Sequence, residues 1–485
     1  MKRLLPFLLF LCPASLLAQG LKIDDAAYGL LLQKRPGAAI KPLPSRTDLS
    51  MYAPSVMDQG KWSTCVAVSV GYYMRTILEA RRRGLTNRSQ IDALRLSPSY
   101  LYNMLKDQPD AACADGIDAG RALDYLKQNG LPSLAAVPYH TCQPVGPVIA
   151  PANSRLLDYV KLFSITDSDD DKITATKKAL SEGAPVVVGI QTTESIYKLA
   201  FGKTLLARFQ SFASGVVNES APAAQSQFTR WRPAQATALS LGHALCAVGY
   251  DNTKFGTGAV KFINSWGTSW GEGGYFWLSY ADFARHAKYG YQGYVPAAND
   301  RATIALSADL TLALGSFFNS RAVPFQRVQS GAAPLTTYAI SRPQPTGTPY
   351  KFTADVSRQT YLYVITATAA EGVASRLFPE PGVKPLISPN TRLELPKDSL
   401  LVLQGKPTLE YCLFLFAQRA IDIDDYVLKL NAQKGPFPDR VPAAFGEALV
   451  PPRQVSYKDK KMGFFLKNPY SGYVVPLLVT INHVR

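Results

Sequence analysis

Histidine is scarce: the 485 residues hold four, His140, His243, His286 and His483. There is no HExxH motif, no CxxC pair and no His/Cys cluster. Nothing therefore suggests a metal centre, and neither a metal nor a cofactor is expected. Charge is also thin, at 18% of residues, and the formal net charge of +16 is dispersed. The one dense basic cluster, ARRRGLTNR with Arg81, Arg82, Arg83 and Arg88, is read as a solvated helix end, so no nucleic-acid partner is expected. The acidic run DSDDDK (Asp167, Asp169, Asp170, Asp171) lacks the glycine and closing glutamate of a calcium loop, and reads as the charged start of a helix. Beyond the N-terminus no stretch reaches the roughly 18 uninterrupted apolar residues of a membrane span, and no internal repeat is visible.

What the chain does have begins with an address. MKRLLPFLLFLCPASLLAQG carries Lys2 and Arg3, an apolar core and small residues around Ala18. This is the layout of a signal peptide cut after Ala18, with a periplasmic or extracellular product. Cys12 follows Leu11, a poor context for lipid attachment. Export governs the reading of the cysteines that remain: Cys65, Cys113, Cys142, Cys246 and Cys412. Cys113 and Cys142 flank one helical segment and are expected to bridge, closing a loop worth roughly 3 kcal/mol of unfolded-state entropy. Cys246 in HALCAVGY and Cys412 in LEYCLFLFA read as inert buried thiols.

The patterning along the chain divides it into a signal peptide (1–18), a short leader (19–45), a catalytic region (46–297) and a β-rich accessory region (298–485). Helices are expected over about 62–83, over 97–105 and within 116–130, with another in KITATKKALSEG. APVVVGIQTT, HALCAVGYDN, GAVKFINSW and GGYFWLSY read as strands. Helices first and strands later predict an α+β fold. Residues 203–238 have no sustained period and read as an insertion whose aromatic residues Phe209, Phe212, Phe228 and Trp231 anchor or gate it. In the C-terminal region, short apolar runs broken at Gly372, Gly382, Asn390 and Gly405 predict a sandwich or partial barrel, with one helix in DIDDYVLKLNAQ.

Cys65 stands where the helix of VMDQGKWSTCVAVSVGYYM begins. A helix N-terminus and a nearby imidazolium both lower a thiol pKa, which is what a thiolate nucleophile needs. His243 opens a strand-like run, and Asn264 follows in NSWGTSWGEGGYFW. A neutral amide can accept the imidazole N–H and fix its tautomer. Gln59 can donate its amide to a developing oxyanion beside the Cys65 backbone N–H. A buried structural thiol would explain Cys65 alone, but not the four residues together.

DQG with STCVAVS, then GHALCAVGYD, then INSWGTSWGEGGYFWLSY, in that order, resembles the papain-like cysteine peptidases over about residues 45–297. The resemblance implies a two-lobed fold, helical and β-rich, with a cleft between the lobes and a peptide or protein substrate. It makes Cys65 the nucleophile, His243 the base and acid, Asn264 the orienting group and Gln59 the oxyanion donor. Trp266 would shield the Asn–His bond, with Trp270 packed nearby. The sequence also departs from the family pattern. Trp62 replaces a bridging cysteine, Val66 replaces a tryptophan, and the cleft-lining glycine pair is reduced to Asp115-Gly116, which puts backbone pairing with a peptide there in question. Residues 19–45 leave no room for a long inhibitory propeptide: either a short leader occupies the cleft or latency is not enforced in cis. A cell-wall peptide amidase or transpeptidase, and a catalytically silent binding protein, are the alternatives. The C-terminal region loosely resembles a bacterial envelope-associated β-rich domain, which leaves room for envelope association.

Overall fold

The computed structural model describes residues 20–31, 33–34, 38–39, 42–139, 142, 146, 148–196, 199, 229–233, 241–295, 304–315, 321–328, 335–381, 383–388, 391–396, 399–467 and 470–485. The signal segment, His140, Phe209, Phe212, Phe228, Gly382 and Asn390 lie outside them. Among the described residues no helix is long and apolar enough to cross a membrane. The chain divides into two compact units. The first takes the residues up to Gly29 with Ser45–Tyr159 and Phe163–Val295. The second takes Leu30–Pro44, Val160–Leu162 and Pro296–Arg485.

The first unit is built around one helix spanning 65–82. Every side chain from Cys65 to Ala80 is buried, the polar Ser69, Arg75, Thr76 and Glu79 among them. It is α-helical over Cys65–Ala67, π-helical over Val68–Met74 and α-helical again over Arg75–Arg82. Gly84, at φ 66°, closes it: Leu85 N–H donates to Ala80 O and Gly84 N–H to Arg81 O. The arginines at this end are not all solvated. Glu79 is buried and takes Arg75, Arg82 and Arg83 together. Burial pushes its carboxyl up, but the hydrogen bonds from Arg82 and Arg83 and the charge of Arg75 prevail and bring it to about 2. That is a correction to the sequence reading, which had no buried acid to pair with the cluster. Helices Pro98–Leu105 and Ala119–Gln128 complete this side, capped by Ser97 and Asp118. Ser168 caps Asp169–Ser181, whose first turn holds the acidic run.

The other side is an antiparallel sheet. Its seven strands include β1 (Arg46–Asp48), β2 (Val186–Thr192), β3 (Leu241–Asp251), β4 (Ala259–Ile263), β5 (Tyr275–Ser279) and β6 (Ala287–Tyr294). The order is β6-β2-β3-β4-β5, with β1 also paired to β3. The β2–β3 register sets Ile190 opposite His243 and Val187 opposite Cys246. This places His243 near one end of β3, with Cys246 in the strand interior, where burial pushes its thiol up.

The second unit is two sheets packed face to face. One contains Thr391–Leu395, Pro349–Val356, Ile304–Leu314 and Met462–Lys467. The other contains Thr337–Ile340, Val474–Val484, Leu409–Ala417 and Thr360–Thr368. Pro349–Val356 alternates half-buried and buried side chains, the period of a strand with one face on the core. Phe352 meets Phe414 and Phe416 meets Phe464 edge-on across the interface, at centroid distances of 4.8 and 5.3 Å. The helix expected in DIDDYVLKLNAQ is Ile423–Ala432. A second helix, Phe437–Phe445, was not read from the sequence because Pro442 lies inside it. Cys412 is buried among the apolar residues, its thiol pushed up to about 12.

Candidate active site

Three elements of the first unit deliver the site: the N-terminus of the 65–82 helix, one end of β3 and the turn after β4. Cys65 is fully buried, and its Sγ accepts the Ala244 N–H at 3.4 Å and the Gly20 N–H at 3.2 Å. Thr64, at the N-cap, makes no capping bond; its hydroxyl pairs with the Tyr139 hydroxyl at 2.6 Å. His243 is fully buried, with Nε2 2.9 Å from Asn264 Oδ1. Ser265 N–H also donates to that oxygen, at 2.8 Å. Two donors fix the amide as an acceptor, so Nε2 carries the proton and Nδ1 carries the lone pair. Among the described residues Nδ1 has no hydrogen-bond partner. It is the nitrogen left for the thiol.

Burial sets the charges. It pushes the Cys65 thiol up to about 11, against the backbone N–H groups of Ala244, Gly20 and Val66, which favour the thiolate. It also pulls His243 down to about 4, against the Asn264 bond. Both shifts favour the neutral forms at neutral pH.

Trp266 stacks on the imidazole with centroids 4.9 Å apart, and Trp270 meets Trp266 edge-on at 5.2 Å. The indole covers the face of the His243 ring. Gln59 is fully buried. Its Oε1 takes the Ser265 hydroxyl and its Nε2 donates to Trp62 O at 2.7 Å, which orients the amide. Cys113 and Cys142 are bridged. Cys113 O then accepts the Ser63 N–H at 2.7 Å, two residues before Cys65.

Gly116 takes φ 75°, just before Ile117. Extended chain does pair here: Ile117 N–H donates to Gly20 O at 3.0 Å and Ile117 O accepts the Lys22 N–H at 3.1 Å. Ile117, not a second glycine, supplies the pairing edge. Asp115 lies just before this edge. The next residue of that segment bonds the β3 strand, Leu21 N–H donating to Gly242 O at 3.2 Å.

Sequence reasoning missed Ser265, Tyr73 and Tyr139. The Tyr73 hydroxyl donates to Asn264 O at 2.9 Å, and the Tyr139 hydroxyl donates to Gln59 O at 2.9 Å. Only Ser265 carried a signal, its place in INSWG. The other described histidines, His286 and His483, lie elsewhere. His286 Nδ1 meets Gln191 O at 3.2 Å beside Trp231. His483 is buried between Thr346 (2.8 Å) and Glu410 (3.2 Å) in the second unit. Among the described residues no group of three His, Cys, Asp or Glu could hold a metal ion.

Residues 43–292 match the papain family of cysteine proteases, and the chain belongs to that family. It is 24% identical to cysteine proteinase 3 of Entamoeba histolytica over 50% of this chain and 65% of the relative. It is 29% identical to cathepsin K of Gallus gallus over 47% of this chain and 56% of the relative. The chain thus spans less than two thirds of the length of these relatives. Among solved structures it is similar to xylellain, a cysteine protease from Xylella fastidiosa, at 21% identity over 57% of this chain and 95% of that one, with a TM-score of 0.40.

Proposed function

We propose that the protein is an exported cysteine peptidase that hydrolyses peptide bonds through a Cys65–His243–Asn264 set. The observation that carries this reading is the His243 Nε2 to Asn264 Oδ1 bond at 2.9 Å, which leaves Nδ1 to serve as the base. His243 Nδ1 takes the Cys65 proton, and the sulfur attacks the substrate carbonyl. The resulting oxyanion receives the Cys65 backbone N–H and a Gln59 Nε2–H. His243 then protonates the leaving amine, and water releases the acyl-thioester. Asn264 keeps the imidazole in the productive tautomer throughout.

The reading extends to export through residues 1–18, a catalytic domain at 46–297 and an accessory domain at 298–485 that serves docking, with the cell envelope as its site. The test is Cys65→Ala in purified protein, assayed on unfolded protein and on short fluorogenic peptides. Loss of all hydrolysis with an unchanged circular dichroism spectrum is expected. Retained hydrolysis would end the mechanism.

A further inference from the structure

A threonine at a helix N-cap ordinarily takes an extended backbone and accepts an N–H of the first turn through its hydroxyl. Thr64 instead sits at φ −100° and ψ 13° and makes no capping bond. It is buried, and its hydroxyl lies 2.6 Å from the Tyr139 hydroxyl. Counting protons gives that bond its direction. Tyr139 has one hydroxyl hydrogen and donates it to Gln59 O at 2.9 Å. Thr64 is therefore the donor to Tyr139, and the chain runs from the Thr64 hydroxyl through the Tyr139 hydroxyl to the Gln59 carbonyl. Each bond polarises the next.

The ends of this chain are the residues that carry the two oxyanion donors. Thr64 shares its peptide unit with the Cys65 N–H, and Gln59 bears the side-chain amide. Ser265 fixes Gln59 to the turn that holds Asn264, taking the Gln59 N–H at 2.8 Å and bonding its Oε1. Tyr139 fixes Gln59 to the helix that holds Cys65. The Trp62 N–H reaches Gln59 O at 3.4 Å, so the phenol is the nearer donor to that carbonyl. Trp62 also meets the Tyr139 ring edge-on, with centroids 5.2 Å apart, and takes the Gln59 Nε2–H on its carbonyl at 2.7 Å.

We propose that Tyr139 is a positioning residue of the peptidase: its hydroxyl sets the spacing of the Cys65 N–H and the Gln59 amide so that both meet one oxyanion. This rests on the peptidase reading. The oxyanion exists only once the carbonyl has been attacked, so lost spacing lowers kcat and leaves KM in place.

Three variants test it. Tyr139→Phe keeps the ring against Trp62, Thr64→Val keeps the threonine's shape, and Thr64→Ser keeps its hydroxyl. Two probes separate the oxyanion from the thiol. With a peptide aldehyde the Cys65 sulfur bonds the carbonyl carbon, and the C=O π pair moves onto the oxygen that the donors hold. With a dipyridyl disulfide the same sulfur forms a mixed disulfide, identified by peptide mass, and a pyridinethiolate leaves without any oxyanion. Tyr139→Phe and Thr64→Val are each expected to lower kcat about tenfold with KM unchanged, and to weaken the aldehyde by a similar factor. Their rates with the disulfide should equal that of the unaltered protein, and Thr64→Ser should recover most of both losses. Undiminished kcat and aldehyde affinity, or equal losses toward aldehyde and disulfide, would overturn the positioning role. Should Tyr139→Phe fail to fold, Thr64→Val against Thr64→Ser decides by the same measurements. If the unaltered protein cleaves no peptide, the peptidase reading fails, and the aldehyde-to-disulfide comparison still decides the role of Tyr139.

Discussion

The Tyr73 hydroxyl joins the Asn264 carbonyl to the Met57 amide, donating to one and accepting from the other at 2.9 Å each. It thereby ties the turn that carries the imidazole's partner to the loop that leads to Gln59. Tyr73→Phe would leave a buried amide and a buried carbonyl without this partner. The expected cost is about 1–3 kcal/mol of stability. Because Asn264 would also be held less firmly, kcat is expected to fall several-fold with KM nearly unchanged. Denaturant unfolding and steady-state kinetics check both. An unchanged kcat would confine Tyr73 to a structural role.

The site also has a pH signature. An imidazole held at about 4 against its usual 6.5 favours the folded form only while neutral. That contribution is complete above pH 6.5 and is lost as the pH falls through 4. The thiol, pushed to about 11 from 9.0, contributes fully below pH 9 and is lost as the pH rises through 11. Asp25, its carboxyl lowered by the hydrogen bonds from Lys288 and Tyr289, keeps its ion pair with Lys288 into more acidic solution. The melting temperature is expected to be highest between about pH 6.5 and 9, the span set by those four values. In Cys65→Ala the alkaline limb should be shallower and the acid limb unchanged. Identical profiles would mean that Cys65 is not held protonated by the fold.

Removing the Cys113–Cys142 bridge as a double serine variant is expected to cost roughly 2–4 kcal/mol. The larger effect should be local, since Cys113 O holds Ser63 and Cys113 precedes the Gly116–Ile117 edge. Peptide KM should therefore rise more than kcat falls. A variant with lower melting temperature and unaltered KM would show that the edge keeps its shape without the bridge.

Trp231, the one described aromatic among the four singled out in the insertion, is fully buried. Its Nε1 donates to Ser195 Oγ at 2.9 Å and its backbone N–H to Trp277 O at 3.0 Å. Trp231→Ala should cost about 3–5 kcal/mol through the cavity it leaves. Calorimetry would check this; a loss below about 1 kcal/mol would mean the anchor lies elsewhere.

How much of this was legible in the sequence depended on whether the signal was local. Cys65, His243 and Asn264 stood out because residue types with few other uses occurred in short motifs. The strands around His243 followed from unbroken apolar runs. Tyr73 and Tyr139 were hidden, because a tyrosine in an apolar stretch is indistinguishable from core until its hydroxyl's partner is known. Glu79 was read past for the same reason: the arginines nearby look solvated unless the acid beneath them is seen to be buried. Gly20 was the least legible. Its smallness matters only because Ser63 and Gly116, far away in sequence, close on it from two sides.

The π-helical segment Val68–Met74 sets a rotational register. Cys65 is at the start of the helix and Tyr73 is inside the widened turn, and both must face the same turn of chain around Asn264. An α-helix advances about 100° per residue. Forcing this segment to regular α pitch without shortening it would rotate Tyr73 and everything after it away from their present phase relative to Cys65. The helix would be the more regular for it. Its two ends would no longer address the same site, so the irregular turn works as a phase adjuster between the thiol and the packing that positions its partners.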